Sequence, residues 1–128
     1  IDLHVEVTPV SFNELTNKIS SAENSTTIRQ RVMQARTIQT ERFKNNVGVY
    51  ANAQISSKQL RKICVLDNAG EQLLKTAMQK LNLSARAYDR ILKVARTIAD
   101  LAEEENIKSE HIAEAIQYRS LDRETWAQ

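Results

Sequence analysis

Apolar and polar residues change rhythm several times along this chain, and each change marks an element. Ile1, Leu3, Val5 and Val7 alternate with polar groups ahead of Pro9, the period of two of a half-buried strand. A lone strand leaves its backbone groups unpaired. Residues 1–10 therefore read as the remnant of another domain's sheet, and residues 11–128 as the domain itself. Ser11–Lys18 allows a short helical turn, and Ser20–Ser25 reads as polar loop. From Ser25 or Thr26 the spacing becomes helical. Ile28, Val32, Ala35 and Phe43 share one face, with Arg29 and Arg36 on one flank and Arg31 and Arg42 on the other. This helix is expected to end near residues 44–46.

After a connector at Val47–Ile55, Ser56 with Gln59 three residues later has the form of a capping box for a short helix carrying Leu60, Ile63 and Cys64. Asp67 or Asn68 can cap the next helix, whose apolar side is Leu73, Leu74, Ala77, Met78 and Leu81. Asn82-Leu83 then makes a tight break. Ser84 caps the most strongly patterned helix of the chain, in which Tyr88, Ile91, Leu92, Val94, Ala95, Ile98, Ala99, Leu101 and Ala102 cover about half the circumference. So wide a stripe belongs at the centre of a bundle. A last helix starts at Ser109, carries Ile112, Ala115 and Ile116, and reaches about Arg123, leaving Trp126 in a tail. The pattern predicts an all-α fold, a small bundle of four to five helices.

Composition sharpens this. The 128 residues contain 2 glycines and 1 proline, so tight turns are scarce, and 41% hydrophobic with 27% charged residues suits one soluble domain. Two glycines cannot build a phosphate-binding loop, a nucleophile elbow or a dinucleotide turn. No apolar run approaches the roughly 18 residues that span a bilayer, and no charged-then-apolar leader opens the chain. A cytoplasmic protein without a membrane partner is the default expectation. One cysteine, Cys64, and 2 histidines exclude an internal disulfide and a Cys/His zinc cluster, and no metal site is expected. His111, two residues past a helix start, reads as a surface or capping residue.

The candidate chemistry lies in Leu83-Ser84-Ala85-Arg86-Ala87-Tyr88-Asp89-Arg90. With Ser84 as cap, Arg86 falls in the first helical turn, where the positive end of the dipole disfavours a cation by typically 0.3–1 kcal/mol. A bound anion would offset that cost. Arg86 and Arg90, four residues apart, together with the unpaired N–H groups of the helix start, form an anion site of the kind a phosphate fits. The plain alternative is a solvated surface arginine at 86, and for Arg90 an ion pair on the same helix as Asp89.

The same stretch carries a family resemblance. Leu83-Ser84-Ala85-Arg86, then Arg90-Ile91-Leu92-Lys93-Val94-Ala95-Arg96-Thr97-Ile98-Ala99-Asp100-Leu101, then Ala115-Ile116-Gln117-Tyr118-Arg119-Ser120-Leu121-Asp122-Arg123, resembles the C-terminal domain of the Mg-chelatase-like AAA+ ATPases, in the ComM/YifB branch. Val32-Met33-Gln34-Ala35-Arg36-Thr37-Ile38-Gln39-Thr40-Glu41-Arg42 resembles that family's V-x-x-A-R-x-x-Q-x-x-R helix. Ile1-Asp2-Leu3 resembles the residues that follow its ATPase core.

What the resemblance implies is specific. Arg86 takes the place of the sensor-2 arginine, which contacts the γ-phosphate of the nucleotide; by its spacing on the helix, Arg90 is a weak support. The fold implied is a helical lid, which converts ATP binding and hydrolysis in the core into motion of a ring motor, and Arg86 is expected on the side from which the amino-terminal segment departs. ATP and Mg²⁺ are the implied cofactors of the full-length protein. Its own core and the neighbouring subunits of a six-membered ring are the implied partners, with DNA engaged through the full ring. The phosphate loop and acidic Mg²⁺ motif of the family lie upstream, so these residues by themselves are expected to hydrolyse nothing and to hold no cofactor.

A second class stays open: a free-standing helix-turn-helix-like DNA-binding module, with Ala69–Leu81 and Ser84–Asp100 as its two helices and Arg86, Arg90 and Lys93 reading the groove. A net charge of +2 weighs against it, because such modules carry a strong basic stripe.

Overall fold

A computed structural model describes residues 3–5 and 23–127, the side chains of 120–127 excepted. The expected boundary at residue 10 and the helical turn at Ser11–Lys18 lie outside the described residues. Five helices follow in chain order: α1 (Ser25–Arg42), α2 (Ser57–Ile63), α3 (Asn68–Lys80), α4 (Ala85–Leu101) and α5 (Ser109–Ala127), with a 3₁₀ turn at Asn52–Gln54 between α1 and α2. The fold is all-α, as the pattern predicts. Extended pairing among the described residues is limited to one parallel bridge, Leu66 with Ile107, which ties together the approaches to α3 and α5.

Side-chain caps fix the starts of four helices. Asn24 accepts from the Thr27 N–H, Ser56 from Gln59, Asp67 from Gly70 and Ser84 from Ala87, each satisfying a donor with no partner in its own helix. At α5 the cap works in reverse: the Lys108 N–H donates to Nδ1 of His111 at 2.9 Å, the reciprocal half of a capping box. The break before α4 uses Asn82 at φ 50°, a left-handed conformation that asparagine tolerates better than most residues.

α4 is the axis of the molecule. It packs on α1, α2, the 3₁₀ turn and α5, and α5 covers α3 as well. Ile91, Leu92, Ala95 and Ala99 of α4 are buried together with Phe43, Ile55, Leu60, Leu74, Ile107, Ile112 and Ala115. Burial of each such leucine or isoleucine contributes about 1.5–3 kcal/mol.

Two expectations need correction. Of the face read on α1, Ala35 and Phe43 are buried, but Ile28 and Val32 are 46% and 41% exposed. Residues 25–34 are exposed throughout and burial on α1 begins at Ala35, so the helix packs on the bundle through its second half only. At the other end of the chain, α5 continues through Trp126 to Ala127, so that residue is helical rather than part of a tail.

Candidate functional site

Arg86 occupies the second position of α4, exposed. Ser84 Oγ accepts from the Ala87 N–H at 3.2 Å and the Ser84 carbonyl accepts from Tyr88 N–H at 3.1 Å. By helix geometry the N–H groups of Ala85 and Arg86 have no partner within the helix. One guanidinium and a helix start therefore face outward together. Arg90, one turn on, is half-buried and engaged with a neighbour, and Asp89 accepts from Ser57 Oγ at 2.9 Å, which ties this end of α4 to α2. The two arginines do not form an open fork: Arg86 alone is exposed.

Lys93 is held as well, its Nζ donating to the Ala53 carbonyl at 3.2 Å. Of the three residues assigned to a DNA-reading helix, two are thus committed to contacts within the protein. The buried face of α4 leaves that reading with little recognition surface.

Arg86 is not where the amino-terminal residues lie. Leu3 lines a groove of about 660 Å³ with Val94, Ile98, Leu101 and Tyr118, and the His4 N–H donates to the Tyr118 carbonyl at 3.2 Å. Ile98 is twelve residues beyond Arg86, about 18 Å along the helix axis. The expectation that both stand on one side is therefore corrected: the placing of Leu3 beside Ile98 and Leu101 and the His4 hydrogen bond to α5 hold residues 3–5 along the second half of α4.

Sequence reasoning missed the strongest polar constellation in the molecule. Asp100, fully buried near the end of α4, receives the Arg42 guanidinium through both oxygens, at 2.7 and 2.9 Å. Asn52 Nδ2 donates to the same carboxylate at 2.9 Å and to Thr97 Oγ1 at 3.0 Å. Gln39, read only as part of a motif, accepts from the Asn52 backbone N–H at 3.0 Å. Arg96, 4% exposed, lies 3.2 Å from Asp100 and donates to the carbonyls of Glu104 and Glu105 at 2.7 and 2.9 Å. Arg42, on a flank of the apolar face of α1, is half-buried in this network. A signal was present, because Arg96 and Asp100 interrupt the apolar stripe of α4 four residues apart, beside Ala95 and Ala99. Charges inside a core stripe are rarely tolerated unless paired.

This network does structural work. It pins the end of α1, the 3₁₀ turn, the end of α4 and the Glu103–Glu105 turn, where Glu103 adopts φ 57°, to one carboxylate. Cys64 lies in the core, and burial pushes its thiol up from 9.0 to about 11, as befits a small apolar residue rather than a nucleophile. No group of three or more metal-ligating side chains occurs among the described residues, and none of their helices is long and apolar enough to cross a membrane.

Comparison with known proteins agrees with the motifs. Residues 22–119 match the family described as magnesium chelatase, subunit ChlI C-terminal. The chain is 41% identical over 122 residues to competence protein ComM of Haemophilus influenzae, a match covering 95% of this chain and 23% of that protein. The proteins called YifB of Escherichia coli and Salmonella typhimurium are 38% and 36% identical, with the same two coverages. The chain thus spans less than a quarter of the length of these relatives. The chain belongs to the family of Mg-chelatase ChlI-type C-terminal domains, in the branch of ComM and YifB.

Proposed function

We propose that this domain is the lid of an ATP-driven ring motor and that Arg86 is its sensor, closing on the γ-phosphate of a nucleotide held by the rest of the full-length protein. The observation that carries the reading is the placement of Arg86: an exposed cation in the first turn of the central helix, where the helix dipole disfavours it unless an anion is near. Family membership supports the lid assignment, since the matching model is that of a C-terminal domain.

The chemistry follows from charge. A guanidinium beside helix N–H groups neutralises charge on a terminal phosphate and loses that partner when the phosphate is released. The end of α4 then carries the change into the bundle, because the buried side of the helix is locked to α1, α2 and α5. ATP and Mg²⁺ belong to the upstream portion, and this domain supplies the arginine and the moving body. The working partners are that portion and neighbouring subunits of a ring of six, in the cytoplasm, with DNA engaged through other segments of the full ring. Arg90, already engaged within the domain, steadies the first turns of α4 rather than touching phosphate.

The full-length protein tests this directly. Arg86→Ala is expected to lower ATP turnover on the order of 10²-fold, as loss of one charge-stabilising donor does, with a smaller loss in nucleotide affinity. Unaltered turnover would overturn the sensor role.

A further inference from the structure

Asp89 stands where a competitor for Arg86 would stand. Residues three apart on a helix are neighbours, and Asp89 follows Arg86 by three, about 60° around α4 and about 4.5 Å along it. A carboxylate in that place weakens an anion site in two ways. It pairs with the guanidinium, and it repels the phosphate that the guanidinium would meet. Yet the pair is not formed. Ser57 Oγ, at the first position of α2, donates to Asp89 Oδ2 at 2.9 Å, and among the described residues no ion pair joins Asp89 to Arg86, which stays exposed.

The other cations close to Asp89 along α4 are committed. Lys93, four residues on and therefore also within helical reach, gives its Nζ to the Ala53 carbonyl at 3.2 Å, and Arg90 has a contact of its own. A carboxylate released by Ser57 is thus left with Arg86 as its partner on α4. Ser57 in turn is fixed by the packing of α2: Ser56 Oγ accepts from the Gln59 N–H at 3.3 Å, and Leu60 is buried in the core.

We infer that Ser57 is a positioning residue of the phosphate sensor, whose hydroxyl holds the Asp89 carboxylate towards α2 and so leaves Arg86 to meet an anion instead of pairing within its own helix. The inference rests on the sensor reading of Arg86. It adds to that reading a competing charge, Asp89, and the contact that restrains it.

The test is ATP turnover and nucleotide affinity of the full-length protein and a small set of variants. Ser57 is exposed, so its replacement does not put folding at stake. Ser57→Ala is expected to lower turnover about twofold, the weight of an exposed pair between residues three apart on a helix, and Ser57→Thr, which keeps the hydroxyl, to retain it. Asp89→Ala removes the hydrogen bond and the competing charge together. It is expected to lose none of that turnover, and in its background Ser57→Ala should have no effect. A mere staple between α2 and α4 behaves otherwise: Asp89→Ala then costs as much as Ser57→Ala, and that outcome would overturn the inference. The Ser57→Ala deficit should also shrink as salt is raised, because an exposed ion pair is screened; a deficit indifferent to salt contradicts the competition. Arg86→Ala separates the two readings. If it lowers turnover while Ser57→Ala does not, the positioning role falls and the sensor stands; if it leaves turnover unaltered, both fall.

Discussion

Asp100 is where a single side chain decides most. Two guanidiniums, Arg42 and Arg96, converge on it with the Asn52 amide, so removing its charge leaves two cations near or inside the core with no counter-charge. Asp100→Asn is expected to destabilise the domain by about 3–5 kcal/mol, the cost of breaking a buried ion pair on one side, measured by chemical denaturation; a loss under about 1 kcal/mol would mean that solvent already screens the pair. Cys64 makes a second residue-scale prediction. Its thiol titrates near 11 in the folded protein against 9.0 for the free group, so the folded state holds the proton more tightly. The stability this contributes is complete below pH 9 and is lost as pH climbs through about 11. A thiol reagent at pH 8 should therefore label Cys64 only on unfolding; rapid labelling of the native protein would contradict its burial.

Helices were legible where local chemistry and burial point the same way. Ser56, Asp67 and Ser84 were readable as caps because a short polar oxygen followed by an apolar-periodic run has few other uses, and α4 announced its central place through the width of its stripe. α1 was harder. Its apolar face reads as continuous from Ile28 to Phe43, yet how much of that face is covered depends on where the other elements cross it, which no periodicity records. The Asp100 network was hidden for a similar reason: Arg42 and Asp100 are 58 residues apart, and only the packing of α1 on α4 brings them together. The candidate site divides likewise, since Arg86 follows from its cap, while the commitment of Arg90 and Lys93 to internal contacts does not. At this scale Ser84→Ala should cost about 1 kcal/mol through loss of the α4 cap. Ile91→Ala, emptying a site with no solvent access, should cost 2–5 kcal/mol. Thermal unfolding of the two variants checks that order, and the reverse order would contradict the central position of α4.

Across the whole molecule, Arg86 in the first turn of α4 and Leu3 beside Ile98 are set about 18 Å apart along the helix axis. The balanced charge of +2 weighs against independent DNA binding. A fluorescence titration of this chain against duplex DNA at low salt is expected to show no salt-dependent affinity, and a steep salt slope would revive the DNA-reading alternative.

The most direct measurement is paired kinetics and nucleotide binding on the full-length protein and its Arg86→Ala variant. A collapse in ATP turnover on the order of 10²-fold with nucleotide affinity largely kept is the predicted result. Equal turnover in the two proteins would contradict it.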